Sequence, residues 1–145
     1  MGYTLPPPPT PGGNYVGAVQ TGNLVYVAGV VNRLPDGGYT SVGKVGTQVT
    51  IEEGYAAARQ AILNSLANLK ASIGDLDRVT RVVKLLCMVN CAPDFGQTPQ
   101  VANGASDLLV GIFGEKGRHA RSAVGMGSLP NTVPIEIEMI VEVSA

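Results

Sequence analysis

Residues 50–74 read TIEEGYAAARQAILNSLANLKASIG, and their periodicity sets the frame for the rest of the chain. Thr50 and Glu53 have capping-box spacing, in which each side chain satisfies a free backbone N–H at the other residue as a helix begins. Tyr55, Ala58, Ile62, Leu66, Leu69 and Ile73 then recur at steps of three and four. They form one apolar stripe over about six turns. Gly74 follows as a natural C-cap. The segment is expected to be a long helix that packs by one face.

Strands are expected on either side of it. LVYVAGVV (24–31) is rich in β-branched and aromatic residues. Gly29 interrupts it, which fits either a plain bulge or a close approach of backbone or ligand. LPDGGYT (34–40) carries the Asp-Gly signal of a hairpin turn. VTRVVKLLCMV (79–89) is apolar on both sides over much of its length and is expected to be a central strand. Thr98-Pro99 reads as an N-cap with proline at the first helical position. That second helix runs to about Phe113, with Val101, Ala105, Leu108, Leu109 and Ile112 inward and Gly114 closing it. Further strands are expected near 121–127 and 135–143.

The resulting order is β–β–α–β–α–β–β. Two helices cannot cover both faces of a four- to six-stranded sheet, so they are expected to share one face. The other face stays open unless a partner covers it. Charged residues make up 14% of the 145-residue chain, against a usual share of ~25%. A low charge and an uncovered sheet both point to a symmetric homo-oligomer. Residues 1–13, rich in Pro and Gly, are expected to form an extended arm ahead of a single domain over 14–145.

The net charge is −1 and no segment carries a run of Lys or Arg. Sequence-independent nucleic-acid binding needs clustered cations, so it is not expected. No window approaches ~18 uncharged apolar residues, the length of a membrane span. The start MGYTLPPPPTPGG lacks the basic and apolar regions of a signal peptide. Pro6 stands where a myristoylation signal has Ser or Thr. A cytoplasmic protein is the expectation. Cys87 and Cys91 lie ~13 Å apart if both are in one strand, too far for a disulfide, and are read as buried reduced thiols. A single His makes a zinc site unexpected, and no cofactor is called for.

RHARSAVGMGSLPNTVPIEIEMIVEV (118–143) holds the candidate chemistry. Arg121 sits among small neighbours, Ala120, Ser122 and Ala123. Glu136, Glu138 and Glu142 share one face of a strand-like run. A guanidinium offers a planar fork matched to a carboxylate. The alternative for Arg121 is an interface salt bridge, with Glu136 itself as one possible partner. For Glu138 and Glu142 a solvated face is the simpler reading. His119 has no Ser, Asp or Cys partner in motif spacing, which favours a surface or interface role over one lining a cleft beside Arg121.

The chain resembles the RidA family, also called the YjgF or reactive-intermediate deaminase family. GNYVGAVQ (13–20) is similar to its GPYSQAV segment and GNLVYVAGV (22–30) to its GNLVFVSGQ strand. HARSAVGM (119–126) followed by LPNTVPIEIE is similar to its PARSAV…LP…VEIE signature. The match runs in order from about Asn14 to Val143. The resemblance implies an α+β, chorismate-mutase-like fold: a mixed sheet with two helices on one face, assembled as a homotrimer with ligand clefts between subunits. It implies hydrolysis of enamines and imines, such as 2-aminoacrylate and its imine tautomer, to 2-keto acids and ammonia. It makes Arg121 and Glu136 the catalytic candidates, and Tyr15, Gly29, Asn103 and Ala123 the substrate-binding ones. The partner implied is a small carboxylate-bearing metabolite. Tyr15 fits a core or interface role as well, and Asn103 fits simple decoration of a helix turn.

The chain also departs from the family pattern. The family serine before Gly29 is Ala28, the following glutamine is Val30, and the proline of PARS is His119. The position often held by cysteine is Ala123. Three functions therefore stand in contention: a deaminase, a non-enzymatic trimer that binds small carboxylates, and the endoribonuclease activity long attached to the family. The last fits poorly with an acidic balance, one His and few aromatics to stack bases.

Overall fold

Thr50 accepts from the Glu53 N–H and the Glu53 carboxylate accepts from the Thr50 N–H, both at 3.0 Å, so the capping box forms as its spacing requires. The computed structural model describes residues 2–145 and so omits the first residue of the expected arm. The elements in order are β1 (Ala18–Thr21), β2 (Leu24–Val31), α1 (Ile51–Ile73), β3 (Val79–Asn90), α2 (Thr98–Phe113), β4 (Ala120–Met126) and β5 (Ile135–Val143). They form a five-stranded mixed sheet in the order β1-β2-β5-β3-β4, in which only β3 and β4 run parallel. This is the α+β architecture with two helices that the sequence implies.

Several boundaries differ from expectation, each for a visible reason. The strand paired with β2 at its outer edge is β1, ahead of it, rather than a segment after the Asp-Gly turn. That turn does form: the Gly38 N–H donates to the Asp36 carboxylate at 2.8 Å, and Arg33 faces Tyr39. Beyond it the chain makes only isolated bridges. β3 lies inside the sheet, but its middle is β5, bonded to β2 and β3. The acid-bearing run 135–143 is therefore no edge strand.

The α2 cap also shifts. Gln97 occupies the cap without a side-chain bond, and Thr98 spends its hydroxyl on the Ala123 carbonyl at 3.0 Å. That bond ties the start of α2 to β4. Along α1 the stripe is buried at Ala58, Ile62, Leu66, Leu69 and Ile73, whereas Tyr55 is exposed and its hydroxyl reaches Asp107 of α2 at 2.7 Å. Ala57, Ala61 and Ser65 are buried too, because α1 packs on α2 as well as on the sheet. A Cβ at Gly104 would collide with the Tyr55 carbonyl, so only glycine permits this helix approach.

The core lies between the helices and the sheet. Leu85 and Cys87 of β3 and Ile135, Ile137, Met139 and Val141 of β5 face the helices. By strand alternation the opposite face carries Glu136, Glu138 and Ile140 of β5. Tyr26 pairs with Ile140, Val19 with Tyr26, and Val124 with Met88 on that face. Val19, Tyr26 and Val124 are 55%, 46% and 41% exposed there, so the chain leaves apolar side chains on a sheet face that it does not cover.

Both cysteines are free and buried. Burial pushes the Cys87 thiol up to about 12, with Arg121 opposing weakly, and burial also raises that of Cys91 against the pull of Lys44 and the Met126 backbone. Thiols held protonated do not attack disulfides. A chromogenic disulfide reagent is therefore expected to find both thiols in denaturant and neither within minutes in buffer at pH about 7.5. Rapid native reaction would contradict the burial.

Candidate functional site

Arg121 lies on β4, the sheet edge, opposite Leu85 of β3. Its Nη1 donates to Asn103 Oδ1 at 2.8 Å and to Ser106 Oγ at 3.1 Å, both on α2. The side chain therefore rises on the helix-covered side. Asn103 and Ser106, three apart, share one helix face. Among the described residues Nε and Nη2 have no partner, and the ion pair of Arg118 with Glu115 does not involve Arg121. Neutral acceptors hold the arginine. Its charge is not cancelled by a carboxylate, and the Nε–Nη2 edge, the fork that fits a carboxylate bidentately, is left without a hydrogen-bond partner.

Ser106 makes a second contact, to His119 Nε2 at 2.9 Å, while His119 Nδ1 lies 2.7 Å from the Gly117 carbonyl. A carbonyl only accepts, so Nδ1 carries the proton and the neutral Nε2 accepts from the Ser106 hydroxyl. Burial lowers the His119 pKa and Arg121 lowers it further, against the Gly117 bond, so the ring is held neutral. Motif spacing offered His119 no serine partner; the fold supplies one 13 residues away in sequence, on α2. Ala123 follows Arg121 on the same face, partly packed on the core, and its carbonyl is occupied by Thr98.

Glu136 belongs to a different surface. β2 bulges between Val27 and Val30, and a Cβ at Gly29 would collide with the Glu136 carboxylate. The bulge and the close approach therefore coincide: Gly29 lets the carboxylate lie against the backbone. The two line a cavity of about 550 Å³ with Tyr15, Arg33, Tyr39 and Asn68, a size that suits a small ligand. Tyr15 folds back so that its hydroxyl accepts from the Gly12 N–H at 3.1 Å. Asn131, at φ 54°, donates to the Tyr39 hydroxyl at 2.9 Å, and the Arg33 guanidinium lies 5.8 Å from the centre of the Tyr39 ring. Ala28 also lines the cavity and brings no hydroxyl.

Burial raises the Glu136 pKa, and Glu138 on the same face adds to the rise. A carboxyl whose folded pKa exceeds its unfolded value costs stability above the folded pKa, and the cost vanishes as pH falls below the unfolded value. Glu136→Gln is therefore expected to raise the melting temperature at pH 7 and not at about pH 3.5, where both states are protonated. Solvent screening at this half-buried group keeps the gain below about 1 kcal/mol. Melts of both proteins at the two pH values check it. A fall at pH 7 would mean that the carboxylate makes a stabilising contact.

Within one chain, then, the expected site residues form two groups. Tyr15, Gly29 and Glu136 share the cavity, while Arg121 and Asn103 share the α2–β4 edge, with Ala123 beside them. Arg121 rises on the helix side and Glu136 points to the other, with β3 between their strands. Ser106 and His119 join the first edge, and Arg33, Tyr39 and Asn68 join the cavity, without being expected there from sequence. The i,i+3 step from Asn103 to Ser106 and the i,i+2 step from His119 to Arg121 are the signals that could have found the former pair.

Comparison with known proteins identifies relatives over nearly the whole chain. Residues 1–141 match a family model described as "YjgF/chorismate mutase-like, putative endoribonuclease". Protein TCP17 of Trypanosoma cruzi is 43% identical over 99% of this chain and 90% of its own length. A RutC family protein of Pyrococcus horikoshii is 32% identical over 91% of this chain and 89% of its own. The crystal structure of Atu1372, a protein of unknown function from Agrobacterium tumefaciens, is similar with a TM-score of 0.90 at 41% identity, covering 99% of this chain and 87% of that one.

Proposed function

Because the chain belongs to the RidA (YjgF/chorismate mutase-like) family, we propose that it is an enamine and imine deaminase, hydrolysing 2-aminoacrylate-type acids to 2-keto acids and ammonia. The observation that carries this reading is the Nε–Nη2 edge of Arg121, which has no hydrogen-bond partner among the described residues, on an uncancelled cation held by neutral partners. A 2-imino acid carries a carboxylate beside its C=N bond. Bound on that edge, its imine carbon is presented to water in a fixed orientation.

The acid–base partner in this reading is Glu136 of a neighbouring copy. Water attacks the imine carbon, the new C–O bond forms, and its proton passes through the carboxylate to nitrogen. The carbinolamine then collapses: its hydroxyl proton passes by the same carboxylate to nitrogen, the C–N bond breaks, ammonia leaves and the carbonyl of the keto acid forms. A carboxyl whose pKa is raised by burial sits closer to working pH, which suits a group that both takes and returns a proton. The cleft is formed in a homotrimer. Two features support that assembly: the apolar sheet face left open by the chain, and the placement of Arg121 and Glu136 on opposite faces. RNA cleavage finds no support in a chain of net charge −1 without a basic stripe.

The test is ammonia release from 2-aminoacrylate generated in the cuvette. The protein is expected to accelerate release over buffer. A second reading, a small-carboxylate binding module, is favoured by Ala28, which leaves that part of the cavity wall without a hydroxyl. Unchanged ammonia release together with Arg121-dependent binding of a 2-keto acid would select the second reading.

A further inference from the structure

We propose that His119 is a positioning residue for Arg121, holding it through Ser106 in the one orientation that leaves the Nε–Nη2 edge free. The inference rests on the reading of Arg121 as the carboxylate-binding group. It adds a device on which neither the family resemblance nor the matched relatives bear.

The geometry is a directed chain. The Gly117 carbonyl accepts from His119 Nδ1–H at 2.7 Å, His119 Nε2 accepts from the Ser106 hydroxyl at 2.9 Å, and Ser106 Oγ accepts from Arg121 Nη1 at 3.1 Å. Each step has one allowed direction. The carbonyl cannot donate and the guanidinium cannot accept, so the imidazole tautomer and the hydroxyl rotor are both fixed. Hydrogen bonds in such a series polarise one another, and partial burial keeps water from competing.

The far end is anchored in backbone. A Cβ at Gly117 would collide with the Leu109 carbonyl of α2, so the turn carrying the Gly117 oxygen lies hard against that helix. Asn103 Oδ1 fixes the same Nη1 from one turn earlier on α2. Two neutral acceptors thus occupy one nitrogen of the guanidinium and leave the rest. Aspartate in place of Ser106 would hold the arginine harder but cancel the charge that a ligand carboxylate seeks.

The neutrality of His119 is part of the device. An imidazolium would donate from both nitrogens and remove the acceptor that orients Ser106. Burial favours the neutral form and the Arg121 charge from β4 adds to it, against the Gly117 carbonyl, which favours the charged one; the Ser106 hydroxyl from α2 faces Nε2. Glu115 and Arg118, the nearby charges on the turn, pair with each other at 2.9 Å and are largely exposed.

Calorimetric titration with pyruvate, a short 2-keto acid, tests the proposal on the full chain. Ser106→Ala and His119→Phe are each expected to weaken binding about tenfold. The double variant is expected to be no weaker than the poorer single one, because both changes break the same chain. His119→Gln, whose amide oxygen accepts from Ser106, is expected to stay within about threefold of wild type. A merely structural role would give additive losses and no rescue. Wild-type affinity in Ser106→Ala or His119→Phe, with binding lost in Arg121→Ala, would overturn this inference and leave the arginine reading intact. Wild-type affinity in Arg121→Ala, or no pyruvate binding by wild type, would overturn the arginine reading and this inference with it. If His119→Phe fails to fold, the Ser106→Ala and His119→Gln arms decide.

Discussion

Arg121→Ala is expected to weaken binding of a short 2-keto acid about 100-fold or more and to remove ammonia release with it. Losing one partner of a desolvated charge pair costs about 2–5 kcal/mol, and each 1.4 kcal/mol is about tenfold in affinity. The lowest part of that range is excluded because the arginine is held by Asn103 and Ser106 rather than by a carboxylate, so its whole charge meets the ligand. Arg121→Lys keeps the charge and loses the planar fork, and an intermediate loss of about tenfold is expected. The fold should hardly notice either change, since the side chain lies at a sheet edge and is partly exposed. Titration calorimetry and melting curves on the three proteins check both statements. Unchanged affinity in Arg121→Ala would place the carboxylate elsewhere.

Gly104→Ala is expected to show the largest effect on stability. In an exposed helix interior this change normally stabilises, by about 1 kcal/mol. Here the added Cβ meets the Tyr55 carbonyl of α1, and backbone cannot swing aside. Forcing the helices apart reverses the sign and costs about 2–3 kcal/mol net, a fall of roughly 6–10 °C in melting temperature. Gly96→Ala, whose added methyl would meet nothing within 4 Å, is the control and should shift little. Because Asn103 and Ser106 flank Gly104, the same change is expected to disturb Arg121. A rise in melting temperature would show that the α1–α2 approach is looser than described.

Most of the fold was legible because its signals are local. The Thr50–Glu53 box, the stripe from Ala58 to Ile73 and the β-branched runs each follow from a few neighbouring residues. What escaped depends on distant partners. Thr98 looks like a cap until the Ala123 carbonyl lies beside it, and Tyr55 looks like core until Asp107 offers its carboxylate. Strand order escaped for the same reason: alternate Glu residues suit an edge, yet β5 is the middle strand, and its second face is the one left uncovered. At the site, the motif around Arg121 and Glu136 marked both residues. Nothing in their spacing told that they stand on opposite sides of one sheet. Ser106 and His119 were hidden because their contact joins α2 to the turn before β4.

Central to the proposed mechanism is the meeting of the Arg121 and Glu136 groups across two copies of the chain. The direct measurement is complementation. Arg121→Ala and Glu136→Gln, each expected to be inactive alone, are unfolded together in equal amounts, refolded and assayed for ammonia release. In a cyclic assembly that mixes at random, roughly a quarter of the clefts pair an intact arginine with an intact glutamate. Recovery of about that fraction of wild-type activity is predicted. A mixture that refolds and exchanges subunits yet stays as inactive as its parents would contradict a cleft shared between copies.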